Sequence, residues 1–171
     1  MTEKTKDRIT VAIAGNPNCG KTALFNALTG GHQQVGNWPG VTVERRMGRR
    51  VFGGFDLEIT DLPGTYSLSP LTPDQLVARD FITSGEPDVI INILDGTNLE
   101  RNLYLTTQLL ELGLPIVVAV NMMDVVEAQG DELDAAALAE LLGCPVVGIV
   151  ATKKRGLDEL LAAVVSVHVS G

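Results

Sequence analysis

Eight residues near the amino terminus, Gly15-Asn16-Pro17-Asn18-Cys19-Gly20-Lys21-Thr22, fit the spacing G-x-x-x-x-G-K-[ST] of a phosphate-binding loop. The chemistry of that spacing is specific. Glycines let the main chain approach phosphate oxygens closely, the lysine reaches the β- and γ-phosphates, and the threonine hydroxyl can ligate Mg²⁺. Three further groups stand downstream in an order that suits a nucleotide. Asp61-Leu62-Pro63-Gly64 offers a carboxylate and then a glycine N–H. Asn121-Met122-Met123-Asp124 offers an amide and a second carboxylate, and Val150-Ala151-Thr152 offers main-chain donors. A carboxylate at Asp124 accepts two hydrogen bonds from the N1–H and 2-amino group of guanine. Adenine has no such donor pair, so a buried Asp124 beside it would stay unpaired.

These groups require strands that end at one edge. Ile9 to Ala14 reads as a buried strand before the loop, and Ala23 to Leu28 as a helix after it, closed near Thr29-Gly30-Gly31. From His32 to Thr42 neither period is present, which predicts a loop holding Gly36, Trp38 and Val41. Trp38, the sole tryptophan, reads equally as a loop aromatic packed on the domain or as a direct participant. Val43 to Phe52 and Phe55 to Asp61 predict an antiparallel hairpin turned by Gly53-Gly54. Thr65 to Asp74 predicts a loop, and Gln75 to Ser84 a helix. Asp88 to Asp95 predicts a strand, and Thr97 or Asn98 caps a helix running to about Leu112. Ile116 to Val120 and Val146 to Val150 complete six strands. Asp134 to Leu142 and Leu157 to about Val167 are the last helices. The alternation predicts an α/β fold, with a mostly parallel six-stranded sheet, one antiparallel strand and helices on both faces.

At 171 residues the chain makes one domain, residues 1–171, with a polar start over Met1 to Arg8. A net charge of −8 argues against nucleic acid as a partner. Cys19 and Cys144 read as reduced thiols rather than a disulfide framework. Cys19, at a helix start beside Lys21, is expected to react with alkylating reagents when no nucleotide is bound, the alternative being a buried inert thiol. His32 and His168 are isolated, and no cluster has metal-ligand spacing. There is no signal peptide and no apolar run of transmembrane length.

Five stretches together carry a resemblance. They are the phosphate loop, Val35-Gly36-Asn37-Trp38-Pro39-Gly40-Val41-Thr42-Val43-Glu44, Asp61-Leu62-Pro63-Gly64-Thr65-Tyr66-Ser67, Asn98-Leu99-Glu100-Arg101-Asn102-Leu103 and Asn121-Met122-Met123-Asp124. The chain resembles the amino-terminal G domain of the bacterial ferrous-iron transporter family FeoB over essentially its whole length. The resemblance implies a P-loop NTPase of Ras-like G-domain fold that binds GTP and GDP with Mg²⁺ and K⁺ and hydrolyses GTP. It implies a place on the cytoplasmic face of the inner membrane, and a membrane domain of the same polypeptide as partner. The family's helical regulatory and membrane domains are absent from these 171 residues. Homo-oligomerisation stays open. So do two other classes, a soluble ribosome-assembly-type GTPase and a nucleotide-gated binding switch.

The implied nucleotide site comprises Gly15, Asn16, Pro17, Asn18, Cys19, Gly20, Lys21, Thr22, Ala23, Gly36, Trp38, Val41, Thr42, Asp61, Gly64, Asn121, Met122, Asp124, Val150, Ala151 and Thr152. Within it, Thr22, Thr42 and Asp61 hold Mg²⁺, and Asn18 holds K⁺ with switch I carbonyls near Gly36 and Trp38. Asn18, Lys21, Thr42 and Gly64 carry catalysis. Asn121 ties the base loop to the phosphate loop, and the Ala151 N–H meets guanine O6. The chain departs from the family at Cys19, where Ser is usual, and from GTPases generally at Met122, where a lysine normally covers the base. Thr65 stands where Ras-like enzymes have a water-orienting Gln and is too short for that task, which implies slow turnover.

Overall fold

A computed structural model describes residues 7–171, so the expected frayed start falls largely outside them. Seven strands form one sheet in the order β2-β3-β4-β1-β5-β6-β7. They are β1 (Arg8–Gly15), β2 (Gln33–Asn37), β3 (Glu44–Phe52), β4 (Phe55–Asp61), β5 (Val89–Asp95), β6 (Ile116–Asn121) and β7 (Val146–Gly148). Only β3 runs against the rest, pairing antiparallel with both β2 and β4. The helices are α1 (Lys21–Thr29), α2 (Pro73–Thr83), α3 (Leu99–Glu111), α4 (Met123–Ala128), α5 (Ala135–Leu142) and α6 (Leu157–Ser170). Among the described residues, no helix is long and apolar enough to cross a membrane.

The period-two pattern of β1 divides the core. Ile9, Val11 and Ile13 pack with Leu24, Phe25 and Leu28 of α1 and with Leu157, Leu160, Leu161 and Val164 of α6. The small residues Ala12 and Ala14 meet the opposite layer, where Ala78, Phe81 and Ile82 of α2 and Leu105 and Leu109 of α3 lie. Burying each of the large side chains stabilises the fold by roughly 1.5–3 kcal/mol. Because β4, β1, β5 and β6 are parallel, their carboxyl ends share one edge. Register aligns Ile13 with Asp61, Gly15 with Ile93, and Asp95 with Asn121. The chemistry-bearing loops therefore meet without any long excursion of the chain.

The sheet has seven strands rather than six, because β2 forms inside the stretch expected to be a loop. Gln33-Gln34-Val35-Gly36-Asn37 shows no apolar alternation, since an edge strand open to solvent on both faces buries none. Its pairing is main-chain, from Gln33 opposite Gly48 to Asn37 opposite Glu44. The short helix α4 was equally silent. It begins after Met122 in the left-handed region (φ 64°), with no side-chain cap to announce it. Of the two caps expected for α3, Asn98 holds the position, without a side-chain hydrogen bond, and ahead of it a 3₁₀ turn, Gly96–Asn98, is capped by Asp95, whose carboxylate accepts from the Thr97 N–H at 2.8 Å.

Gly48 of β3 lies against the end of α1. A β-carbon there would stand 2.3 Å from Thr29 Cγ2 and 2.6 Å from Thr29 Cβ. Thr29 cannot easily turn away, because its hydroxyl donates to Phe25 O at 2.7 Å and accepts from Gln33 Nε2 at 3.0 Å. Gly48→Ala is expected to lower the free energy of urea unfolding by about 1–3 kcal/mol. An unchanged midpoint would show that α1 and β3 are not held together here.

Candidate functional site

The turn from β1 into α1 is built by backbone conformation. Gly20 precedes α1 in the left-handed region (φ 93°), and a β-carbon there would fall 2.1 Å from Asn121 Nδ2. Asn18 also has positive φ, 65°, a conformation that asparagine tolerates. No side chain caps α1, and its first turn holds no acid. Its free N–H groups and positive dipole end face an open cavity of about 440 Å³. Asn16, Pro17, Asn18, Gly20, Lys21, Thr22, Ala23 and Gly64 line that cavity. Such a hollow suits a polyphosphate.

Lys21 Nζ donates to Asp61 Oδ1 at 2.7 Å, with the two side chains only 11% and 7% exposed. Each charge neutralises the other in a place where either alone would be strongly disfavoured. The loop after Asp61 lies directly on the phosphate loop. A β-carbon at Gly64 would sit 3.0 Å from the Pro17 backbone, and the Thr65 N–H donates to Gly15 O at 3.0 Å. Thr65 is buried, and its hydroxyl donates to Ser67 O at 2.6 Å.

At the next strand end, Asn121 Nδ2 donates to Cys19 O at 3.1 Å, while its Oδ1 accepts from the Ala151 N–H at 3.0 Å. This side chain joins both neighbouring loops. The second bond corrects an expectation: the Ala151 N–H is engaged by Asn121 rather than free. The following residue, Thr152, is exposed. Val150 is buried and bridges to Arg155. Asp124 is not buried as expected. Its carboxylate accepts from the Val125 N–H at 3.0 Å and from Lys153 Nζ at 2.9 Å. The Lys153 hydrogen bond chiefly holds this carboxyl below the usual carboxylate range.

Residues 36–42 are not gathered into the cavity. Gly36 belongs to β2, and Val41 and Thr42 are exposed at the turn between β2 and β3. Trp38 is 7% exposed and packs edge-on against Phe81 of α2, with ring centroids 5.1 Å apart. The Arg45 guanidinium lies 4.4 Å over the Trp38 ring. Of the two readings of Trp38, packing on the domain is the one seen. The turn is closed by the Trp38 N–H donating to Val43 O at 2.9 Å, and the Trp38 carbonyl accepts from the Val41 N–H at 3.3 Å.

Several supporting contacts escaped sequence reasoning, one of them made by Asn16, a residue of the expected site. Asn92 is fully buried in β5, donates to Ala14 O at 3.2 Å and accepts from the Thr106 hydroxyl at 2.6 Å. Asn102 accepts from the Asp95 N–H at 3.2 Å and donates to Asn98 O at 2.8 Å. Asn16 donates to Arg101 O at 3.3 Å. A lone asparagine in an otherwise apolar strand was the available signal for Asn92.

The comparisons with known proteins agree with this geometry. The family model for ferrous iron transport protein B matches residues 9–164. The chain belongs to the FeoB family. The Fe(2+) transporter FeoB of Salmonella typhimurium is 50% identical over 161 residues, covering 92% of this chain and 21% of that protein. The chain thus spans about a fifth of the length of the curated FeoB relatives it matches. The cytosolic domain of T. maritima FeoB in a GDP form is 41% identical with a TM-score of 0.92, over 94% of this chain and 63% of that one. The FeoB G-domain from Methanococcus jannaschii is 41% identical with a TM-score of 0.84, over 96% and 99%. The fold is accordingly the P-loop G-domain fold of the FeoB family.

Cys19 is not the reactive thiol that its position suggested. It is 1% exposed, and burial pushes its pKa up to about 11 against the pull of Lys21. At pH 8, Cys19 of the folded, nucleotide-free protein is expected to resist a thiol reagent until the chain unfolds, while the less buried Cys144 is modified first. Mass spectrometry of the labelled peptides would show it. Faster modification of Cys19 than of Cys144 would contradict this packing.

Proposed function

We propose that this chain is the GTP-binding and GTP-hydrolysing domain of an Fe²⁺ transporter, carried on the cytoplasmic face of the inner membrane by a membrane domain of the same polypeptide. The observation that carries this reading is Asn121, which clasps the phosphate loop and the base loop together beside Asp124. That clasp sets a guanine-reading carboxylate at a fixed reach from a phosphate cavity. GDP-bound relatives with the same fold support it.

The chain's residues divide the work. On nucleotide binding, Lys21 leaves Asp61 for the β/γ-phosphates, and helix α1 adds its N–H groups to the same oxygens. Asp61, once released, joins the Thr22 hydroxyl as a hard oxygen donor, a set that fits Mg²⁺. Thr42 completes that set only if the β2–β3 turn closes, which requires Trp38 to leave Phe81. The Gly64 N–H then senses the γ-phosphate. Asp124 reads the guanine edge, and with the Ala151 N–H occupied, O6 falls to the Thr152 N–H. Asn18 is exposed at the cavity rim, and its side chain bonds to no other described residue, so its amide oxygen is free to ligate K⁺. Bound Mg²⁺ and K⁺ would neutralise charge developing on the triphosphate. Thr65 is short and its hydroxyl is turned toward Ser67, so it does not orient the attacking water, which favours slow turnover. That same feature favours a second reading, a nucleotide-gated switch whose hydrolysis is incidental.

GTP turnover in matched KCl and NaCl is the test. Potassium is expected to stimulate the wild type severalfold and leave Asn18→Ala nearly unmoved, with GDP affinity little changed. Identical rates in the two salts would remove K⁺ from the mechanism, and no turnover in either would favour the switch.

A further inference from the structure

The base loop and α4 are stapled by two ion pairs. Asp124 and Glu127, three residues apart, lie on one side of α4. Lys153 closes the 3₁₀ turn Ala151–Lys153, and Lys154 turns the chain in the left-handed region (φ 55°). Arg155 then pairs back with Val150 through two main-chain hydrogen bonds of 3.1 Å. This hairpin-like return brings Lys153 to Asp124 and Arg155 to Glu127.

The two pairs are not equivalent. Arg155 engages both oxygens of Glu127 as a fork, away from the base-reading carboxylate. Lys153 instead donates to Asp124 Oδ2 at 2.9 Å, while Oδ1 accepts from the Val125 N–H at 3.0 Å. Both oxygens of the group that would read guanine already have partners within the chain. Guanine needs both, one for N1–H and one for the 2-amino group.

We propose that Lys153 is a specificity-determining residue, whose ammonium pairs with the guanine-reading carboxylate and competes there with the base's 2-amino group. This rests on the guanine reading of Asp124 given above. When guanine enters, Lys153 swings to solvent, where 66% of its side chain already lies. The Arg155–Glu127 fork keeps the loop tied to α4 meanwhile. An ion pair so exposed shifts an equilibrium by only a few-fold, so Lys153 tempers affinity without blocking the site. A base carrying N1–H but no 2-amino group uses one carboxylate oxygen and leaves Lys153 on the other. Lys153 therefore narrows the preference for guanine over hypoxanthine, by penalising the ligand that needs both oxygens.

The test is calorimetric binding of GDP, IDP and ADP to the wild type, Lys153→Ala and Lys153→Gln. Removing the ammonium is expected to tighten GDP about threefold and IDP little, so that the GDP/IDP ratio widens about threefold in both variants. An equal shift for GDP and IDP would mean that Lys153 acts only on loop order, and no shift would mean that it does not compete; either overturns the proposal. A wild type that binds ADP as tightly as GDP would instead overturn the guanine reading on which it stands.

Discussion

The ion pair between Lys21 and Asp61 is the constraint on which the site depends. Two opposite charges, one at the start of α1 and one at the end of β4, stand almost out of solvent, and neither would be tolerated there unpaired. Each is the other's partner, so the domain folds with the cation proposed to meet phosphate and the anion proposed to face a metal already held in place. A ligand that takes both must bring its own compensation, negative oxygens for Lys21 and a cation for Asp61. A triphosphate with Mg²⁺ does that, and a neutral ligand would not. The exposed pair of Asp124 with Lys153 repeats the arrangement at the base end, more weakly because water screens it.

Close packing of loops keeps these pairs in register. Gly20 and Gly64 allow contacts with Asn121 and Pro17 that a β-carbon would forbid. Below them, Asn92 and Thr106 form a fully buried polar contact that joins β1, β5 and α3. A satisfied pair of this kind fixes one arrangement of strand and helix, because any slip would leave an amide or hydroxyl unpaired in the core. On the outer side, Trp38 is inserted between Arg45 and Phe81. That cluster links the β2–β3 turn to α2.

Features that particular residue types mark were legible in the sequence. The phosphate loop could be read because its glycines and lysine are fixed by backbone geometry and reach, and the β3–β4 hairpin because two glycines marked its turn. Strand β2 could not be read, since its pairing lies in main-chain hydrogen bonds at an open edge rather than in buried side chains. The Ala151 N–H was assigned to the base because spacing alone cannot show that Asn121 already occupies it. Spacing alone could not show either that Lys153, 29 positions later by number, pairs with Asp124. Cys19 misled for a related reason. A helix start and a nearby lysine lower a thiol pKa, but burial outweighs both here.

The central claim is that Asn121 and Asp124 set a guanine-reading edge at fixed reach from the phosphate cavity. Calorimetric titration of the nucleotide-free domain with GDP and with ADP, each with Mg²⁺, tests it most directly. The phosphate loop alone would bind the two equally, whereas the paired acceptor of Asp124 should favour GDP by about a hundredfold or more. Equal affinities for GDP and ADP would contradict the account.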